Sequence, residues 1–122
     1  MPHLVLDGTV DLERVAARLD PGVVRWGRAV IKTGDRWLRA DGLAVLVEGV
    51  VVELSRPLHP VALVTPRDGG TVVRLWPVVA VERTPAVRRW LAVLAAHLQT
   101  LGAGPIRTTN LAADILDGLD LD

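Results

Sequence analysis

The 122 residues carry 14 basic and 14 acidic side chains, half of them are hydrophobic, and there is no cysteine. This length fits one domain, the hydrophobic share excludes compositional disorder, and the missing cysteine excludes disulfides, thiolate metal sites and thiol catalysis. A chain of 13.1 kDa exposes roughly 6,400 Å² folded against about 19,000 Å² unfolded, which allows a real core.

Residues 3–7 form a short apolar run ended by Gly8, and residues 11–19 place Leu12, Val15, Ala16 and Leu19 on one helical face before Asp20-Pro21-Gly22. A strand and then a short helix are predicted. From Val23 the chain is rich in valine and is punctuated by Gly34-Asp35, Asp41-Gly42, residues 55–57 and residues 67–70. Such turn chemistry predicts antiparallel strands at about 23–33, 36–40, 43–54, 60–65 and 71–82. Pro77 cannot donate to a ladder, so the last of these is expected to be an edge strand or to break there.

Thr84 and Pro85 start the most regular element, a helix over about 85–101 that Gly102 ends. Ala86, Val87, Trp90, Leu91, Val93, Leu94, Leu98 and Leu101 fall in one apolar arc, with Arg88, Arg89 and Gln99 pointing away. Residues 105–109 suit a further short strand, and Asn110 is placed to cap a last helix. The fold class expected is α+β: a mostly antiparallel, Val-rich sheet of about five or six strands, the long helix on one face and a short N-terminal helix beside it.

Charge divides the chain into a globular domain, 1–110, with 14 cations against 10 acids, and an acidic amphipathic tail, 111–122. The tail holds Asp114, Asp117, Asp120 and Asp122 among Leu111, Ile115, Leu116, Leu119 and Leu121. A solvated chain end is the simpler expectation, and docking on the body, a neighbouring subunit or another protein is the alternative. The tail lacks the alternating ligands and distal Glu of a calcium loop, and His3, His59 and His97 lack zinc spacing. Neither a metal nor a cofactor is expected. No apolar run reaches about 18 residues and no signal sequence opens the chain, so a cytoplasmic protein without membrane contact is expected.

Arg25, Arg28, Lys32, Arg36 and Arg39 lie close together with Trp26 and Trp37 among them, opposed only by Asp35. Cations and aromatics on a sheet can hold a nucleic-acid strand by phosphate contact and stacking, which makes Arg25, Arg28, Lys32, Trp37 and Arg39 candidate binding residues. Bulges at Gly27 and Gly49 would instead pair these cations with Glu48 and Glu53 on a solvated face, and the neutral net charge favours that reading. His97 projects into the apolar arc of the long helix. It is read either as a neutral, hydrogen-bonded core residue or as a pocket acid or base paired with Glu48, Glu53 or Asp7. Ser55 and His59 share a loop without a nucleophile elbow, and neither Asp7-Gly8-Thr9 nor Asp68-Gly69-Gly70-Thr71 matches a phosphate-binding fingerprint.

Met1-Pro2-His3-Leu4, followed by a strand, a helix, more strands and a long helix, resembles the tautomerase superfamily, especially its carboxymethyl-hydroxymuconate isomerase branch. The resemblance covers four residues and the element order, and departs from the family in the short first helix and the extra hairpin at 60–82. It implies that Pro2, once exposed, acts as a catalytic base.

With both sheet faces partly apolar, a homo-oligomer is expected, and a non-enzymatic binding or assembly module is the leading functional expectation. The alternative is a small cofactor-free isomerase using Pro2 with His97 or an arginine. Nucleic-acid binding stands third.

Overall fold

The computed structural model describes residues 1–121. Its accessible surface is 6456 Å², the value expected of a compact chain of this mass. No helix among the described residues is long and apolar enough to cross a membrane.

The chain runs β1 (His3–Asp7), α1 (Leu12–Arg18), β2 (Val23–Trp26), β3 (Ala29–Leu38), β4 (Val45–Glu53), β5 (Arg56–Leu58), β6 (Val61–Arg67) and β7 (Gly70–Leu75). It closes with α2 (Pro85–Thr100), β8 (Ile106–Thr109) and α3 (Ala113–Leu116). All strand pairs are antiparallel, in the order β2-β3-β4-β6-β7-β1-β8, with β5 continuing beside β4 where β6 ends. The α+β class and the antiparallel sheet are as expected, but there are eight strands and three helices, where five or six strands and two main helices were expected.

The strand not expected from the sequence is β5, in a stretch read as a turn, and two glycines move the boundary between β2 and β3. The stretch read as one strand over 23–33 is a tight hairpin, because Gly27 takes φ 59°, the positive value a two-residue hairpin turn demands at its first position. Gly34 stays outside the left-handed region, so no hairpin forms at Gly34-Asp35. Those two residues are instead an extra step in β3, between the pairs Thr33↔Gly49 and Arg36↔Val47. The bulge thus lies in β3, opposite Glu48, and β4 runs unbroken through Gly49. As a result Glu48 and Glu53 alternate to opposite faces. At the far end β7 stops at Leu75, two residues before Pro77, as a missing ladder donor requires.

The inner face of the sheet carries Leu4, Leu6, Ile31, Val45, Val47, Val51, Ala62, Val64 and Val73, all essentially inaccessible to water. It is covered by α2, whose start is fixed by the Thr84 hydroxyl accepting from the Val87 amide at 3.2 Å, and by α1, where the Asp11 carboxylate accepts from the amides of Glu13 and Arg14. Trp90 of α2 is wholly buried; its indole N–H donates to Thr33 Oγ1 at 3.2 Å.

Two expectations for the C-terminal region change. Arg89, read as pointing to solvent, is 7% exposed. Its Nη1 donates to the carbonyls of Ile115 at 2.9 Å and Asp117 at 2.5 Å, and its guanidinium lies over the Trp26 ring at 5.6 Å. The segment after β8 therefore packs on the flank of α2 with Leu111, Ile115 and Leu121 buried, which widens the arc of the helix that is out of water. Asn110 does not cap α3, whose N-cap is Ala112. It clamps the chain start, its Oδ1 accepting from the His3 amide at 3.0 Å and its Nδ2 donating to Met1 O at 2.8 Å.

The β4–β5 hairpin turns through Leu54 and Ser55 at φ 53° and 61°, a left-handed pair that costs ordinary L-residues roughly 1–2 kcal/mol each. Leu54 is also 77% exposed, so nothing in the fold offsets that cost. The double substitution Leu54→Asn and Ser55→Gly supplies the residues this turn favours and is expected to stabilise the protein by about 1 kcal/mol, seen as a Tm higher by about 4 °C. An unchanged or lower Tm would contradict this account of the turn.

Candidate functional site

A β-strand sends alternate side chains to opposite faces, and among the described residues no helix is laid over the face away from α2. On it stand His3, Val5 and Asp7 of β1, Val72 and Arg74 of β7, and Leu63, Thr65 and Arg67 of β6, with Leu46, Val50 and Val52 of β4 beyond them, as the strand registers require. This outer face is half apolar and half cationic.

The apolar half forms a concavity of about 360 Å³ with Trp37, Leu46, Leu63 and Trp76 in its wall. Trp37 is 57% exposed. Its placement follows from the bulge at Gly34-Asp35: the extra residue reverses the alternation, so Trp37 pairs with Leu46 on the outer face while Arg36 turns inward, where its Nε donates to Ala16 O of α1 at 3.2 Å. Arg36 is thus removed from the cationic cluster in which the sequence placed it.

Of the other cations in that cluster, Arg25 and Lys32 share the outer face near the β2 edge, paired across the hairpin with Val30 and Val23, and Arg28 sits in the hairpin turn. None of the three takes part in an ion pair among the described residues, which join Arg39 to Asp41, Arg56 to Glu82, Arg67 to Asp68 and Arg107 to Asp7. The cross-strand pairs expected with Glu48 and Glu53 are therefore absent from the described residues. Arg39 lies past the end of β3, its Nε 2.8 Å from Asp41 Oδ1. The hydrogen bond from Arg39, with a second from the Leu43 amide, holds the Asp41 carboxyl below the usual carboxylate range.

Pro2 and His97 are not brought together. Pro2 is buried at the start of β1 and borders a groove of about 200 Å³ with Arg83, Arg88 and Asn110 near the first turns of α2. His97 lies nine residues beyond Arg88 on the same helix, about 13 Å along its axis. Its ring is half-buried at the rim of the core, with Nε2 accepting from the Asp20 amide at 3.4 Å, so its contact is to backbone and not to Glu48, Glu53 or Asp7. With Met1 attached, the Pro2 nitrogen is an amide without basicity. The isomerase expectation therefore depends on loss of Met1.

The cationic half of the outer face was not singled out by the sequence. A concavity of about 490 Å³ lies there, with Arg67, Arg74 and Arg107 around it, His3 at one end, and Val5 and Val72 in its floor. Arg67 and Arg74 come from the β6–β7 hairpin, and Arg107 comes from β8, more than thirty residues further along the chain. The only local sign was Arg74, a lone charge in the valine-rich run of β7. Among the described residues no group of three or more histidine, aspartate or glutamate side chains is arranged to hold a metal ion.

Comparison of the chain with protein-family models, curated proteins and solved structures finds no match.

Proposed function

We propose that this chain is a non-enzymatic binding and assembly module that associates with further copies of itself through the uncovered face of its sheet. The observation that carries this reading is the concavity of Trp37, Leu46, Leu63 and Trp76, with Trp37 57% exposed on a sheet that α2 covers on the other face only. Monomers seldom leave a contiguous apolar surface of this kind in water, and tryptophan is the side chain most enriched where interfaces draw their energy. Two copies placed face to face would cover each other's concavity by one two-fold axis.

Light scattering coupled to size exclusion tests the reading. The chain is expected to elute as a dimer or larger closed assembly at micromolar concentration. Trp37→Glu, which buries a charge in the contact, is expected to weaken association by about thirtyfold or more while leaving the circular dichroism of the fold unchanged. A wild-type chain that stays monomeric, or an assembly indifferent to Trp37→Glu, would overturn it.

A further inference from the structure

We propose that the cationic half of the outer face is a binding site for a small organic dianion, two acid groups joined by a short apolar body. The proposal stands apart from the assembly reading, since the two concavities share no lining residue.

Arg74 is the central observation. It stands on β7, an interior strand between β6 and β1, half-buried, with His3 and Leu63 as its cross-strand neighbours. Among the described residues it has neither an ion pair nor a side-chain hydrogen bond. A guanidinium drawn partly out of water without a partner is unfavourable, and an anion in the adjoining concavity would supply the missing acceptors.

The opposite end of the same concavity is also cationic, and there the cation is held in place. Arg107 donates from Nε to Asp7 Oδ1 at 2.7 Å and from Nη1 to Asp68 O at 3.1 Å. A guanidinium has five N–H donors, so the three left over remain for a ligand while the two used fix its orientation. Arg67 adds a second charge there; its contact with Asp68 is loose, 3.8 Å between two well-exposed side chains. The acids present are Asp68 at the rim and Asp7 behind Arg107, so the three arginines keep an excess of one positive charge.

The spacing sets the class of ligand. Arg74 and Gly70, the residue against which Arg107 lies, are four positions apart on β7, about 13 Å of strand. Arg107 is held at the far end by Asp7 and Asp68, so a ligand that reaches both guanidinium groups must bridge much of that length, which suits an extended dicarboxylate. Between the ends the floor is Val5 and Val72, with Thr108 beside them. An apolar floor between two guanidinium groups favours a ligand with an apolar middle over inorganic phosphate, whose charge is concentrated at one point.

The test is a calorimetric titration of the full chain with the linear dicarboxylates from succinate to sebacate, with octanoate and inorganic phosphate as controls. Affinity is expected to rise and then fall along the series. The best dicarboxylate should bind about tenfold or more tightly than octanoate or phosphate, and Arg74→Met should lose about tenfold. Arg67→Gln, at the other end and giving up only the loose contact with Asp68, should also weaken the best ligand and leave octanoate little changed. Trp37→Glu should bind the dicarboxylate as the wild type does, which separates failure of this site from failure of the assembly reading. A flat length profile, absence of binding across the series, or affinity unchanged in Arg74→Met would overturn the proposal.

Discussion

Gly49→Ala is expected to cost about 1–3 kcal/mol of stability, seen as a lower urea midpoint with the slope of the transition unchanged. A Cβ on Gly49 would stand 2.4 Å from Cε2, 2.6 Å from Cζ2 and 2.9 Å from Nε1 of Trp90. None of these atoms is the far end of a flexible side chain. The indole is a rigid plate, wholly buried, and its N–H is committed to Thr33, the residue paired with Gly49 across the ladder. Any shift that admits the methyl group strains that hydrogen bond and disturbs the packing of α2 on the sheet. The effect should depend on the indole: in a Trp90→Leu background, Gly49→Ala is expected to cost at least 1 kcal/mol less than in the wild type. Equal costs in the two backgrounds would show that backbone preference at position 49, and not the indole, accounts for the loss.

Arg89→Met is expected to cost about 2–3 kcal/mol and to release the middle of the C-terminal segment. The substitution keeps much of the aliphatic volume but leaves the carbonyls of Ile115 and Asp117 without their donor. Burial lowers the Arg89 pKa from its ordinary value, opposed by the nearby Asp117, yet an arginine stays cationic at every pH at which the fold is measured. The loss is therefore one of a charge-assisted anchor, and no change in the charge of Arg89 itself makes it depend on pH. Amide exchange reads it directly: residues 113–118 should lose protection first, while Leu121, whose carbonyl accepts from Gln99 Nε2 at 3.2 Å and from the Ile106 amide at 3.3 Å, should keep its place longer. A segment that stays protected in Arg89→Met would assign its docking to Leu111, Ile115 and Leu121 alone.

The elements governed by local chemistry were legible before the fold was known. Thr84, Pro85 and Gly102 mark α2, Asp11 and Leu12 start α1, and Pro77 ends a strand, because caps and missing donors act within a few residues. Reading failed where a local pattern admitted two geometries. Gly27 and Gly34-Asp35 both suit a turn or a bulge, and only pairing with β4 selects the hairpin at one and the bulge at the other. That choice decides on which face Arg36 and Trp37 stand. Arg89 lies at the border of the apolar arc, where its fate depends on whether the tail returns to cover it. His97, read as central to that arc, lies at its rim, beside the loop that follows α1. The cationic concavity was the least legible feature of all, since Arg67, Arg74 and Arg107 meet only after β1 has entered between β7 and β8.

That insertion also has a meaning in time. Within this sheet His3–Asp7 is synthesised before every other strand, yet its two ladder partners are residues 70–74 and 106–109. Until residues 70–74 have emerged, this apolar segment has no native neighbour to join, and its second edge stays open to any other strand until residues 106–109 follow. The sheet cannot be completed from the N-terminus onward. Its β2-to-β7 part is joined through near neighbours in the chain and can form early, whereas β1 must wait for β7 and β8 is added last, on the free edge of β1. Folding is therefore governed by the longest loop closures in the molecule, which belongs to the slow regime of non-local sheet pairing.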